Sequence, residues 1–156
     1  IILRNNNNKM DAYINHNGAW FGGTAGKIYE LDTWYHFAFV FTGTQVKLYV
    51  DGVQEFATGI FAETVVTLND DIHFNIGANP SYPTARYMRG NITHVSIWDY
   101  VRSDSEIQSD VNPNFTGNEP GLLAYWALNV NIGSSIRDLT DKFTAEATNV
   151  VWQDPN

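Results

Sequence analysis

The sequence predicts an all-β chain, an antiparallel β-sandwich or jelly roll with one short helix. Three observations carry this expectation. Apolar and aromatic residues recur at every second position over several short runs. Tight-turn pairs such as Asp51-Gly52 stand directly between such runs. Helix-start chemistry occurs convincingly once, from Ser103 to Glu106.

Taken in order, the elements are these. Ala12 to His16 reads as a strand that ends at Asn17-Gly18, a hairpin pair. Asn5 to Asn8 is low in complexity and reads as an exposed loop tip. Trp34 to Phe41 is aromatic and β-branched throughout and is expected as a strand buried on both faces. Gln45 to Val50 alternates, with Val46, Leu48 and Val50 on one face and Gln45, Lys47 and Tyr49 on the other. Asp51-Gly52 then leads to Val53-Gln54-Glu55-Phe56, a type I′ hairpin in which both turn residues need positive φ. Ile72 to Gly77, Ile92 to Trp98 and Leu122 to Leu128 are further strand candidates. The helix is expected over 103–110. Ser103 and Glu106 have capping-box spacing, acidic residues suit the positive end of the helix, and Pro113 bars continuation. Residues 112–121, with two prolines and two glycines, read as a loop.

Composition excludes several functions. The 156 residues are enough for one domain with a real core. Seventeen acidic against nine basic side chains give a net charge of −8, which offers nucleic acid no basic footprint. Without cysteine there is no disulfide framework and no thiolate metal site. No apolar run approaches the roughly 20 residues of a membrane-spanning helix, so no membrane insertion is expected. Asparagine occurs 17 times and lysine four, so amides and hydroxyls rather than charge keep the surface wet. The chain opens on Ile1, which suggests a mature fragment or an excised domain.

Three segments resemble one family. They are Leu31-Asp32-Thr33-Trp34-Tyr35-His36-Phe37-Ala38-Phe39-Val40 with Val46-Lys47-Leu48-Tyr49-Val50-Asp51-Gly52; Ile76-Gly77-Ala78 with Met88 to Trp98; and Val101 to Ile107. In order and spacing they resemble the laminin-G-like branch of the concanavalin A-like lectin/glucanase superfamily, over about residues 11–108. Gly121 to Asn129, with Asp138, Asn149 and Trp152, is similar to a segment that usually opens such a module. The resemblance implies a single laminin-G-like β-sandwich over 1–156. Its main body would be 1–111, with 112–121 a loop. Residues 122–156 would be strands that close the sandwich or pair with a neighbour.

Candidate chemistry follows. A retaining glucanase needs two carboxyls about 5–5.5 Å apart, which one strand face can supply. Glu30-Leu31-Asp32 is the nearest match, but the third carboxylate of the family pattern is missing, so no enzyme is expected. The family often holds Ca2+ at the sandwich rim, and hard cations want clustered oxygens. Asn69, Asp70 and Asp71 are the candidate ligands, with Asp138 and Asp141 a weaker pair. Sugar recognition needs aromatic faces with amides and charges beside them. Trp20, Asn79, Tyr82, Arg86 and Tyr87 are the ligand-binding candidates, although Trp20 and Tyr87 also suit the edge of a core. Trp34, Trp98 and Trp126 read as core, and His36 as a satisfied structural side chain. Asn91-Ile92-Thr93 and Asn114-Phe115-Thr116 match the N-glycosylation pattern.

The resemblance therefore implies a non-catalytic extracellular recognition or adhesion module at a cell or virion surface. It would bind glycan or protein through rim loops, with Ca2+ as helper. The rival is a structural subunit of a surface fibre, sheath or virion joined to its own copies through terminal strands. A glucanase-like enzyme comes last.

Overall fold

The computed structural model describes residues 2–16, 18–60, 62, 74–78, 87–128 and 133–152. The chain forms two compact units, Ile1–Phe74 with Val101–Asn112, and Asn75–Tyr100 with Pro113–Asn156. The strands are antiparallel throughout, and one short helix accompanies them. Among the described residues no helix is long and apolar enough to cross a membrane.

The first unit holds two three-stranded sheets. One is β1 (Ile2–Asn6), β2 (Lys9–His16) and β3 (Ala19–Thr24) in sequence order; the other is β4 (Phe37–Phe41), β5 (Val46–Val50) and β6 (Val53–Ala57), also in order. Turn chemistry sets both registers. Asp51 and Gly52 lie at φ 50° and 78°, the expected type I′ pair between Val50 and Val53. Asn7 and Asn8 lie at φ 52° and 58°, so the tip expected to be mere low-complexity loop is a second two-residue hairpin turn. Asparagine tolerates this left-handed conformation better than other side chains.

Alternation then decides the core. Met10, Ala12 and Ile14 of β2 face Val46, Leu48 and Val50 of β5, and Phe21, Phe37, Phe39, Phe41 and Phe56 close the space around them. Leu48 and Val46 are fully buried. At about 1.5–3 kcal/mol for each large apolar side chain taken from water, these rows are the main stabilising term of the unit. Gly23 permits the approach of the two sheets, since a Cβ there would fall 2.4 Å from the Phe56 ring.

The other face of the second sheet is covered by α1 (Asp104–Ser109). Its buried Ile107 packs with Val40 and Tyr49. The capping box forms as expected, with the Ser103 N–H donating to Glu106 Oε2 at 2.7 Å and the Glu106 N–H donating to Ser103 Oγ at 3.4 Å. Arg102 grips the far end of the helix through Asp110, with Nη2 to Oδ1 at 2.6 Å. Tyr49, expected on a polar face, is therefore buried, and its hydroxyl donates to Asp104 Oδ1 at 2.7 Å. Burial, with the Asp104 carboxylate accepting that proton, pushes the Tyr49 hydroxyl up to about 12.

Two expectations for this unit are corrected. Trp34 is 63 % exposed and not core. The ladder partner of His36 is Asp51, by backbone and carboxylate bonds of 2.9 Å each, and pairing ends there, so Trp34 lies on the preceding loop. His36 is not satisfied, because its Nδ1 is buried with no hydrogen-bond partner among the described residues. Burial lowers its pKa, against the opposing pull of Asp110 and Asp51.

The second unit pairs β7 (Val95–Trp98) with β8 (Leu122–Trp126), and β9 (Ser135–Arg137) with β10 (Thr144–Glu146). Ala124, Trp126 and Ile136 are its buried centre. Trp126 is core as expected, whereas Trp98 is half-buried among aromatic rings. The strand expected from Ile92 starts only at Val95, because His94 takes φ 52° and breaks the extended path. Of the strand expected over Ile72 to Gly77, residues 72 and 73 lie outside the described residues. From 74 to 78 only Ala78 bridges, to Tyr87.

Candidate functional site

Two places present chemistry, one in each unit. The first is the outer face of the β1–β2–β3 sheet. The inner face takes Met10, Ala12 and Ile14, so Asp11, Tyr13 and Asn15 point the other way. Register places Asn15 opposite Trp20 and Tyr13 opposite Gly22, so Tyr13 and Trp20 are diagonal neighbours on adjacent strands. Such pairs have Cβ atoms roughly 7–8 Å apart. Trp20 is 54 % exposed and Tyr13 half-buried. A Cβ at Gly22 would lie 2.7 Å from the Tyr13 ring, so only glycine leaves the ring room to lie beside β3. One row further along, Asp11 is buried and accepts from Arg4 Nε at 3.0 Å and Thr24 Oγ1 at 2.7 Å. This row ties the three strands together beside the aromatic pair.

The second place is a cleft of about 420 Å³ in the other unit, lined by His94, Asn114, Phe115, Tyr125, Leu128 and Arg137 among others. That volume is within the range of small-ligand sites. Phe115 stands edge-on to both Trp98 and Tyr125, with centroids 5.2 and 5.1 Å away, which anchors the loop expected over 112–121. Glu119 pins the same loop by accepting from the Thr116 N–H at 2.7 Å and the Gly117 N–H at 3.0 Å. Those bonds lower its pKa in spite of the opposing desolvation.

Within the cleft His94 Nδ1 and the Tyr125 hydroxyl are 2.6 Å apart. Tyr125 is buried, and burial first, then Glu119, raises its pKa. The two atoms share one hydrogen bond, whose direction follows the tautomer of the ring. Burial lowers the His94 pKa, which favours the neutral ring. The His94 conformation is held by its own N–H and by Thr93 Oγ1, both donating to the Ala127 carbonyl at 3.1 and 2.9 Å.

The expected site residues fall as follows. Trp20 and Tyr87 are both exposed, at 54 % and 55 %, in different units. Asn79, Tyr82 and Arg86 lie outside the described residues, as do Asn69, Asp70 and Asp71. The weaker calcium pair does not fit a metal. Asp138 is buried, and its oxygens accept from the Thr140 N–H at 2.9 Å, the Phe143 N–H at 2.6 Å and the Thr140 hydroxyl. Asp141 is paired with Arg137 at 2.9 Å. Glu30 and Asp32 are on the loop before β4, Asp32 at φ 55°, so they lack the strand geometry that paired catalytic carboxyls would use. Sequence reasoning missed Tyr13, Asn15 and the whole cleft. The first two were recoverable, because the hairpin pair read in the sequence at Asn17-Gly18 implies the register found between β2 and β3.

Comparison with known proteins places the fold. No curated protein matches the chain. A solved structure of a candidate carbohydrate-binding protein from Bacteroides ovatus matches with a TM-score of 0.71 at 20 % identity, over 89 % of this chain and 40 % of that one. The chain thus spans less than half the length of that protein. An S-layer domain-containing protein from Clostridium thermocellum matches with a TM-score of 0.47 at 20 % identity, over 67 % of this chain and 52 % of that one. The family model of the Concanavalin A-like lectin/glucanases superfamily matches residues 1–108, and with its antiparallel sheets and single short helix the chain belongs to the laminin-G-like branch of that superfamily.

Proposed function

We propose that the chain is a non-catalytic recognition module that binds glycan on the outer face of the β1–β2–β3 sheet, in an extracellular or cell-surface setting. One observation carries the reading. The Tyr13–Trp20 diagonal presents two aromatic side chains on one face, with the Asn15 amide beside them. Neither the Trp20 indole N–H nor the Tyr13 hydroxyl has a partner among the described residues, so both remain for a ligand. Sugar rings stack on such faces and hydrogen-bond to the polar tips. The likeness in fold to the candidate carbohydrate-binding protein of Bacteroides ovatus supports it. A Ca2+ ion held by Asn69, Asp70 and Asp71 belongs to the same reading, with chelation as its control. The test is a glycan array probed with the full chain, then calorimetry with the best oligosaccharide. Trp20→Ala weakens binding at least about tenfold, or ~1.4 kcal/mol. An array without a binder, or a Trp20→Ala variant that binds as well as the parent, overturns the proposal.

A second reading has one observation behind it. Among the described residues β1 lies at a sheet edge, paired to β2 alone, and open edges accept another strand. Self-assembly through that edge would show as a mass that rises with concentration in light scattering and falls when Leu3 is replaced by proline.

A further inference from the structure

We infer that the cleft between β8, β9 and the 113–115 loop binds a carboxylate-bearing sugar of one or two rings, a hexuronate, gripped by Arg137 and His94. The inference does not rest on the sheet face and concerns the other compact unit alone.

The charge pattern is the first argument. The chain carries 17 acidic and 9 basic side chains, yet among the described residues no Asp or Glu lines the cleft, while Arg137 does. Asp141 pairs with the Nε edge of that guanidinium at 2.9 Å. Among the described residues the Nη donors of the fork have no hydrogen-bond acceptor, and an oxygen pair, the geometry of a carboxylate, fits them.

The second argument is donor polarity. The Nε2 edge of His94 has no partner among the described residues and can meet a sugar oxygen. Asn114, exposed at the same rim, supplies an amide with two N–H donors. With the Arg137 fork, these groups suit a ligand rich in acceptors. Its apolar wall of Phe115, Leu128 and Ile136 suits the C–H face of a pyranose.

The third argument is strain. His94 and Leu128 both line the cleft and both take positive φ, 52° and 54°. Neither is glycine, asparagine or aspartate, and leucine in this region is uncommon. Strained residues of this kind gather where a side chain must be aimed at a ligand. Here the strain turns the chain just before β7 and just after β8, at the two ends that frame the cleft.

The experiment is calorimetry of the full chain at pH 7 and low salt with digalacturonate and with its neutral counterpart, galactobiose. Digalacturonate is expected to bind at least about tenfold more tightly. Arg137→Gln should remove that preference and leave the thermal midpoint in place. Asp141→Asn, which frees the guanidinium from its internal competitor, should tighten digalacturonate binding several-fold, a gain that a merely structural pair would not give. Chemical shifts of the His94 ring and the Arg137 side chain should move on titration. Equal binding of the two sugars, a preference that survives Arg137→Gln, or no binding of either sugar overturns the inference.

Discussion

Replacing Asp138 removes the acceptor around which the β9–β10 turn is built. The carboxylate is 2 % exposed and takes two backbone N–H groups, of Thr140 and Phe143, and one hydroxyl. Asp138→Ala leaves the two N–H groups with no acceptor among the described residues, while the Thr140 hydroxyl keeps the Leu123 carbonyl at 3.1 Å. Phe143 is exposed and Thr140 half-buried, so water relieves part of the loss. That places each orphaned N–H near the lower end of the ~1–3 kcal/mol range for an unmade buried bond. The expected cost is about 2–3 kcal/mol, measured by urea denaturation with tryptophan fluorescence. Asp138→Asn keeps one oxygen and the volume, and should cost about half as much. Locally, the Phe143 amide should exchange with solvent about 30- to 100-fold faster in the alanine variant, since ~1.4 kcal/mol is a factor of ten. The pH dependence has a defined sign. Desolvation raises the Asp138 pKa, but hydrogen bonds from Thr140 and Phe143 outweigh it and hold the carboxyl below its ordinary 3.8. A carboxyl lower in the folded state stabilises fully above the unfolded value and loses that contribution as pH falls through the folded one. The asparagine variant should lack this acid-side loss. An alanine variant within about 0.5 kcal/mol of the parent, with Phe143 exchange unchanged, would refute the reasoning.

Two further outcomes follow from the same geometry. Leu48→Ala empties a fully buried position between the two sheets of the first unit and should cost about 3 kcal/mol, within the 2–5 kcal/mol seen for such truncations, read from the shift in urea midpoint at constant slope. His36 and His94 both have pKa values lowered by burial, so the stability they contribute is complete above pH 6.5 and falls as pH drops below it. Urea midpoints from pH 8 to pH 5 should decline through that window, and His36→Gln should shrink the decline; a flat profile would contradict it.

Much of the fold is legible in the chain because its causes are local. Asp51-Gly52 needs no tertiary help to make its turn, since the conformation it demands is the one those residues adopt cheaply. Ser103 and Glu106 cap a helix from four consecutive positions. The period of Gln45 to Val50 names the face that Val46, Leu48 and Val50 bury. The Asn17-Gly18 pair in the sequence likewise implies the register in which Trp20 faces Asn15 and neighbours Tyr13.

What covers a face is not local, and there sequence reading fails. Tyr49 alternates as a surface residue should, yet α1, some 55 positions later, buries it. Trp34 has the bulk of a core residue, but pairing with β5 ends at His36 and leaves it outside. The cleft gathers His94, Phe115, Tyr125 and Arg137 from four separate stretches, and no pattern read in the sequence joins them. Its key conformation is a histidine at positive φ, which no local turn signal announces and which bonds to the Ala127 carbonyl, 33 positions away, hold in place. Turn type, strand period and helix cap were therefore determined by the sequence alone, because neighbouring residues cause them. Burial, donor direction and the meeting of distant side chains were decided only by the tertiary structure, because they depend on which surfaces pack together.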